Sequence, residues 1–469
     1  MRATPPPLPT DPLVPDLVEF CEQHRLAELA ARLDQKPEFP WEIFRQMGRA
    51  GYLGLTVPSD RGGRGLTAGR AAILLFHLAY RSGTTFAKLS LQPEFASVLG
   101  EHGSPELVAE YFEPMLRGES LVANQVTEPA AGSDAGGIRL AAVRQDREYR
   151  LDGVKTEAAF AIDAPAAIVY GRSSSDPGTR GISAFLVEQD RTGIRRSLSL
   201  PDLGERWMRR GQIEYLGVRV PDDHRLGPEG SGFKLVRTEL TRERGLLAAI
   251  YLGVARAAWD RTLLHAAERS AFGEPLARQS AVRDRLVDAW AELQSAWLLV
   301  LWALERFDRG ERADAHTALA KATATRVALE VIDTALQFHG GRGYSSELPF
   351  ERWWRDVRSG GSRTGLPKSC GVSPPRGCGA RMNRTETFRG PSTLVAAVRE
   401  GPSGPWPPQT PPVRRGAGSA HPTPAPRRRP PNLGRSLSRG PQLEGGPDHG
   451  GRHFKQPEDV AVRVLKLRH

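Results

Sequence analysis

The sequence lacks a long apolar run, and it has few cysteines. Among its 469 residues there is no stretch of about 18 uninterrupted apolar residues, so we predict no membrane-spanning helix and no membrane partner. The three cysteines, Cys21, Cys370 and Cys378, form neither a disulfide framework nor a metal-ligand spacing with histidine. The proline-rich start carries no secretory or organelle signal. We therefore predict a cytoplasmic protein without a metal site.

The sequence also lacks excess charge outside its last quarter. Its formal net charge is +11. Residues 361–469 contain 19 Lys and Arg against 6 Asp and Glu, which leaves 46 basic and 48 acidic residues in 1–360. A nearly neutral body has no basic groove, so we predict no nucleic-acid partner.

The tail, residues 359–469, has 18 of the 38 prolines together with many arginines and glycines. This composition cannot bury enough apolar surface to offset its chain entropy, so we predict that the tail is disordered. Three interpretations stay open: a basic arm for nucleic acid or membrane, a solvated extension, and translation of GC-rich DNA in the wrong frame. Loss of every pattern within a few residues favours the last.

The rest of the chain changes its pattern twice. Apolar residues at helical spacing, as in Leu17–Leu33, predict a helical domain over 13–120. Short runs rich in β-branched residues, separated by Gly, Asp and Pro, predict an antiparallel β-domain over 121–225. Residues 230–358 predict an antiparallel helical bundle and complete an α+β fold. Its three long helices are predicted at Phe233–Ser270, Gln279–Arg309 and Ala313–Phe338.

Several motifs carry a more specific signal. VTEPAAGSDAGGI at Val126–Ile138 resembles the hallmark of the acyl-CoA dehydrogenase family. VPDDHRLGPEGSGF, ERSAFG, QFHGGRGY and ERWWRDVR follow in the family's order, and the resemblance extends from about Asp16 to Arg358. It implies FAD bound without a Rossmann domain and the α,β-dehydrogenation of an acyl thioester, on coenzyme A or on a carrier protein. It also implies a homodimer or homotetramer and an electron-transferring flavoprotein as acceptor.

The resemblance implies roles for individual residues. One set matches positions along the flavin ring and pyrophosphate, and hydroxyl or backbone N–H groups are suited to bind both. A second set matches positions at the diphosphate and adenine half, and a third matches a loop that reaches the flavin of a neighbouring subunit. The set along the flavin ring and pyrophosphate is Val126, Thr127, Gly132 and Ser133. The set at the diphosphate and adenine half is Arg269 and Phe272, and the loop that reaches the neighbouring flavin contains Gln337, Gly340 and Gly341.

The catalytic base departs from the commonest family pattern. Most members carry a glutamate in an E-G-T segment after the R-D motif, where this chain has Thr364. A minority, including isovaleryl-CoA-dehydrogenase-like members, supply the base from the bundle helix, immediately before an arginine. The matching residues are Glu243, as base, and Arg244, which the resemblance assigns to the substrate together with Ser133.

A second departure concerns the segment that faces the flavin. Glu157 stands where the family has a tryptophan, and Ala159 where it has a threonine that bonds flavin N5. A carboxylate there would disfavour negative charge on the reduced ring. Two alternatives therefore stay open: another flavin reaction on the same scaffold, as an oxidase or monooxygenase, and a catalytically impaired paralogue that serves as a binding or structural subunit.

Overall fold

The N-terminal region is helical, as the periodicity predicts. The computed structural model describes residues 8–199 and 201–361, so the tail and Thr364 lie outside the described residues. A turn of π-helix, Val108–Phe112, joins the last two helices of this region. The helices are α1 (Val14–Gln23), α2 (Leu26–Gln35), α3 (Trp41–Arg49), α4 (Ala68–Ser82), α5 (Thr84–Ser90), α6 (Gln92–Phe95), α7 (Ser97–His102), α8 (Pro105–Leu107) and α9 (Glu113–Leu116).

The predicted helical segment Leu17–Leu33 is two helices rather than one. The chain breaks at Arg25, whose φ of 48° lies in the left-handed region. The buried residue Cys21 is followed by buried Leu26, five positions on. A continuous helix would turn Leu26 away from the buried face, because only positions three or four apart share a face. The break brings both apolar faces onto the core.

The middle region is one mixed sheet. Its order is β6-β7-β3-β2-β4-β5-β8, and β1 pairs with β4. Most pairs are antiparallel, as predicted, but β1 and β2 both run parallel to β4. Parallel pairing needs a crossover connection, which short-range strand and turn signals do not show. The strands are β1 (Val122–Gln125), β2 (Ala141–Gln145), β3 (Glu148–Ala158), β4 (Ala166–Arg172), β5 (Ile182–Glu188), β6 (Ile194–Leu198), β7 (Gly211–Pro221) and β8 (Arg225–Leu226).

The C-terminal region contains the three long helices, each within two residues of its predicted ends. A two-stranded hairpin connects the first helix to the second. The described residues fall in one compact unit, so the three-domain division stays a prediction. The elements are α10 (Gly232–Glu268), β9 (Ser270–Ala271), β10 (Glu274–Pro275), α11 (Ser280–Asp308), α12 (Asp314–Phe338), α13 (Gly341–Tyr344) and α14 (Phe350–Arg358).

Helix α10 connects the sheet with the helices. It packs against α4, α11 and α12. A Cβ at Gly253 would lie 2.3 Å from the carbonyl oxygen of Phe76 on α4, and a Cβ at Gly232 would lie 2.6 Å from the backbone of Ser183 on β5. Only glycine therefore permits both approaches, because anything larger would push α10 away from its neighbours.

Two absences concern the described part of the chain alone. Within residues 8–199 and 201–361, no helix is both long enough and apolar enough to cross a membrane. The same residues contain no group of three or more His, Cys, Asp or Glu side chains placed to hold a metal ion.

Candidate functional site

The loop after β1, which carries the hallmark motif, is held by a buried ion pair. The Nζ of Lys155 donates to the carbonyl oxygen of Val126 at 3.0 Å and to Oε1 of Glu128 at 2.9 Å. Glu128 also accepts from the backbone N–H groups of Arg139, at 2.7 Å, and Leu140, at 3.0 Å. Burial lowers the pKa of Lys155 to about 8, although the Glu128 charge opposes the shift. Glu128 thus joins the start of the loop to its end.

The predicted flavin-ring residues lie on this loop with open space beside them. The carbonyl oxygen of Thr127 accepts a hydrogen bond from the N–H of Thr156 on β3 at 2.9 Å. Gly132 and Ser133 are exposed, and a Cβ at Gly132 would meet no atom within 4 Å. No acceptor among the described residues takes the backbone N–H of either residue. The loop therefore fits the polar edge of a ring or a phosphate.

The two altered flavin-facing residues lie at the irregular end of β3, Glu157 within the strand and Ala159 just after it. The register of β3 on β7 shifts between Lys155 and Ala158, and Glu157 has a φ of 56°. The Glu157 carboxylate is 2.5 Å from Nη1 of Arg210, so its charge is paired. Ala159 is half-buried and packs against the core. Repulsion from Glu157 is therefore weaker than the sequence suggests.

Glu243 lies on α10 with its side chain fully buried. Neither carboxyl oxygen accepts from an N–H group within the described chain, and the carboxyl group of Glu239 is close enough to share a proton with it. Burial raises the pKa of Glu243 to about 8, and the charges of Arg242 and Arg244 oppose this shift. The carboxyl group is therefore a much stronger base than a surface glutamate.

Glu239, one helical turn before Glu243, brings this carboxyl group close to the motif loop. It is 3% exposed, and its Oε1 accepts from Nδ2 of Asn124 at 3.3 Å. Asn124 lies on β1, two residues before Val126, so the carboxyl pair and the loop meet at one place. Glu239 was not among the site residues predicted from the sequence. Its position four residues before Glu243 places both side chains on the same face of a helix, and this spacing could have identified it.

The remaining predicted cofactor residues lie elsewhere. His265 and His339 stack with ring centroids 4.2 Å apart and hold the ends of α10 and α12 together. The five residues beside these ends are exposed, and Phe272 is 99% exposed. They are Arg269, Phe272, Gln337, Gly340 and Gly341.

The two groups of predicted cofactor residues are far apart. Helix α10 is continuous from Gly232 to Glu268. At 1.5 Å per residue, Glu268 lies about 38 Å along the axis from Glu243. Within one chain, the second group therefore lies far from the predicted base.

Comparison with known proteins covers all three regions. Family models described as the N-terminal, middle and C-terminal domains of acyl-CoA dehydrogenase match residues 14–119, 123–218 and 230–365. A 3-(aryl)acrylate reductase of Clostridium sporogenes is 33% identical over 72% of this chain and 90% of its own length. The caffeyl-CoA reductase-Etf complex subunit CarC of Acetobacterium woodii is 32% identical over the same shares. The solved structure of a probable acyl-CoA dehydrogenase from Mycobacterium abscessus is 29% identical, with a TM-score of 0.73 over 77% of this chain and 97% of its own.

Replacing Lys155 by methionine is expected to lower the free energy of unfolding by about 3 kcal/mol, because it leaves a buried carboxylate without its cation. Denaturant unfolding monitored by circular dichroism measures this change. Arg144→Met is the matched control, since its ion pair with Asp222 is exposed and should contribute less than about 1 kcal/mol. Equal effects of the two substitutions would contradict an anchoring role for Lys155.

Proposed function

Because the chain belongs to the acyl-CoA dehydrogenase family, we propose that Glu243 removes the α-proton of its acyl thioester substrate. Members of this family are FAD-dependent oxidoreductases that act on the CH–CH bond of acyl thioesters, and this chain is one of them. When bound, FAD supplies N5 as the acceptor of the β-hydride. The base is the part that the chain itself must provide.

The observation that carries this proposal is the fully buried carboxyl group of Glu243, to which no N–H group of a described residue is bonded. A general base needs a pKa near the working pH, and burial raises that of Glu243 to about 8. Its α10 neighbour Glu239 bonds Asn124, so the base lies beside the loop that fits the flavin. We assign Arg244 to the substrate, next to the base.

Val126, Thr127, Gly132 and Ser133 would hold the flavin ring and pyrophosphate within one chain, with Ser133 also reaching the substrate. We propose that the second group, at the far end of α10, serves the flavin of another copy of the chain. The separation of about 38 Å along the helix supports this assignment. It makes the working unit a homodimer, or a homotetramer built from two such dimers.

The electron acceptor and the cellular location are further proposals. One relative is by name a subunit of a reductase-Etf complex, so we propose an electron-transferring flavoprotein as acceptor. Cys21 is a buried free thiol, in keeping with a reducing cytoplasm.

Glu243→Gln is expected to reduce the rate of flavin bleaching by an acyl-CoA about 10²- to 10⁴-fold, because the amide cannot accept the α-proton. FAD content, read from the visible spectrum, should stay at the level of the unmodified protein. Glu229→Gln, at an exposed position just before α10, is the matched control and should bleach normally.

Two outcomes would contradict the assignment in different ways. Undiminished bleaching by the Glu243→Gln variant would show that another group is the base. Protein that stays colourless when FAD is added would favour the catalytically impaired paralogue instead.

The pH dependence of kcat/KM provides a separate test. The raised pKa of Glu243 means that the carboxyl group is protonated, and inactive as a base, below about pH 8. We expect kcat/KM to rise about tenfold per pH unit up to that point and then to level off. The midpoint belongs to the coupled pair of Glu239 and Glu243. A plateau that begins near pH 5 would contradict a buried base.

Phe272→Ala is expected to weaken FAD binding by about tenfold without changing the melting temperature of the apoprotein. The side chain is 99% exposed in one chain, so its loss removes no packing there. Titration of the apoprotein with FAD measures the affinity. Leu298→Ala, at a 66% exposed position on α11, is the control and should leave FAD affinity unchanged. An unchanged affinity in the Phe272 variant would argue against the two-copy site.

A further inference from the structure

The proposed base is one of three buried carboxyl groups that lie close together. The carboxyl cluster consists of Glu94 on α6 and of Glu239 and Glu243 on α10, and these residues are 0%, 3% and 0% exposed. Glu94 is tied to the N–H of Thr56 at 3.0 Å through Oε1 alone. The negative charge of Glu94 also acts on Glu243, so the groups are close.

Much of the bonding capacity of the cluster is unused. Oε2 of Glu94 has no hydrogen-bond partner among the described residues, and Oε2 of Glu239 and both oxygens of Glu243 accept from no N–H group there. Glu239 and Glu243 are close enough to share a proton between their carboxyl groups, which still leaves further acceptor positions on each. The hydroxyl of Tyr170 on β4, a residue that is fully buried, also has no hydrogen-bond partner among the described residues. Buried polar groups in folded proteins are nearly always hydrogen-bonded. Several incompletely bonded polar atoms at one place therefore indicate a ligand-binding position.

The hydroxyl of Tyr170 lies beside the carboxyl cluster. Besides burial, the charges of Glu239 and Glu243 raise the pKa of its phenol, so the hydroxyl is near both carboxyl groups. A phenol is a good donor and a carboxylate a good acceptor, yet no bond joins them. A group that bonds several of these atoms at once would fit between them.

The charge of the cluster indicates what that group is. The charge of Arg242 acts on all three carboxyl groups, and that of Arg244 acts on Glu243. Arg242 is also hydrogen-bonded to the carbonyl oxygen of Glu94 at 3.4 Å. Exposed Glu101 adds negative charge near Glu239. A further positive group with several N–H donors is favoured, whereas the acceptor-rich polar edge of a flavin is not.

We propose that the carboxyl cluster binds a protonated amine on the acyl group of the substrate, so that the chain oxidises aminoacyl thioesters. This inference rests on the proposed function, because it takes Glu243 as the base at the α-carbon. Side chains one helical turn apart are separated by about 6 Å, so an amine bonded to Glu239 lies about that far from the α-carbon. A primary amine five or six bonds from the α-carbon spans this distance.

The unmodified holoenzyme gives the first test. We compare 6-aminohexanoyl-CoA with heptanoyl-CoA, and 7-aminoheptanoyl-CoA with octanoyl-CoA, so that each pair exchanges an ammonium group for a methyl group. We expect kcat/KM to be at least about tenfold higher for the amine in one pair or both. Equal or lower values for both amines overturn the inference.

Substitution of a binding carboxyl group gives the second test. Glu239→Gln should reduce the ratio of kcat/KM for the preferred amine to kcat/KM for its alkyl partner at least about tenfold, mainly through the KM of the amine. Both substrates are compared at the same pH, because Glu239 also influences the titration of Glu243. Glu19→Gln, at an exposed position on α1, is the matched control and should leave this ratio unchanged. Melting temperatures verify that the variants fold.

The failures of the two proposals are distinguishable. Similar losses for amine and alkyl substrates in Glu239→Gln overturn the amine site but leave the dehydrogenase and its base intact. Bound FAD that no thioester reduces overturns the proposed function and the inference with it.

Discussion

The close packing of α10 is the constraint on which the rest of the structure depends. This one helix contacts the sheet at its start, α4 and α11 along its length, and α12 throughout. Glycines at Gly232, Gly245 and Gly253 occupy the points where a side chain would collide with a neighbouring backbone or leucine. Because these glycines let the helix pack closely against its neighbours, the residues on its inner face are buried whatever their polarity.

That constraint gives the carboxyl groups of Glu239 and Glu243 their chemistry. Burying a carboxyl group without compensating bonds is unfavourable by several kcal/mol, and the group responds by a raised pKa. Fold stability alone would favour apolar residues at these positions. The cost is understandable if the site needs a strong base and acceptors for a substrate group, because both functions depend on incomplete pairing in the free protein.

The motif loop shows the opposite use of burial. Lys155 and Glu128 are both buried, but each is bonded to the other and to backbone groups, so the pair holds the loop in place. The exposed part of the loop, at Gly132 and Ser133, keeps free N–H groups for a ligand. Rigid anchoring beneath an open binding edge is what positions a cofactor against a fixed base.

The sequence by itself determined the long helices, the mainly antiparallel strands and the family, because each depends on a periodicity or a motif read over neighbouring residues. It also singled out Glu243 and the loop residues. Only the tertiary structure decided the break at Arg25, the parallel pairing of β1 with β4, and the pairing of Glu157 with Arg210.

The same is true of the site as a whole. Glu94, Tyr170 and Glu239 come from different elements, and no local pattern predicts that their polar atoms lie close together. The separation of the predicted cofactor residues into two groups follows from the length of α10, a distance that motif order does not reveal. Contacts between residues remote in sequence are set by packing, and packing is what the linear pattern leaves undetermined.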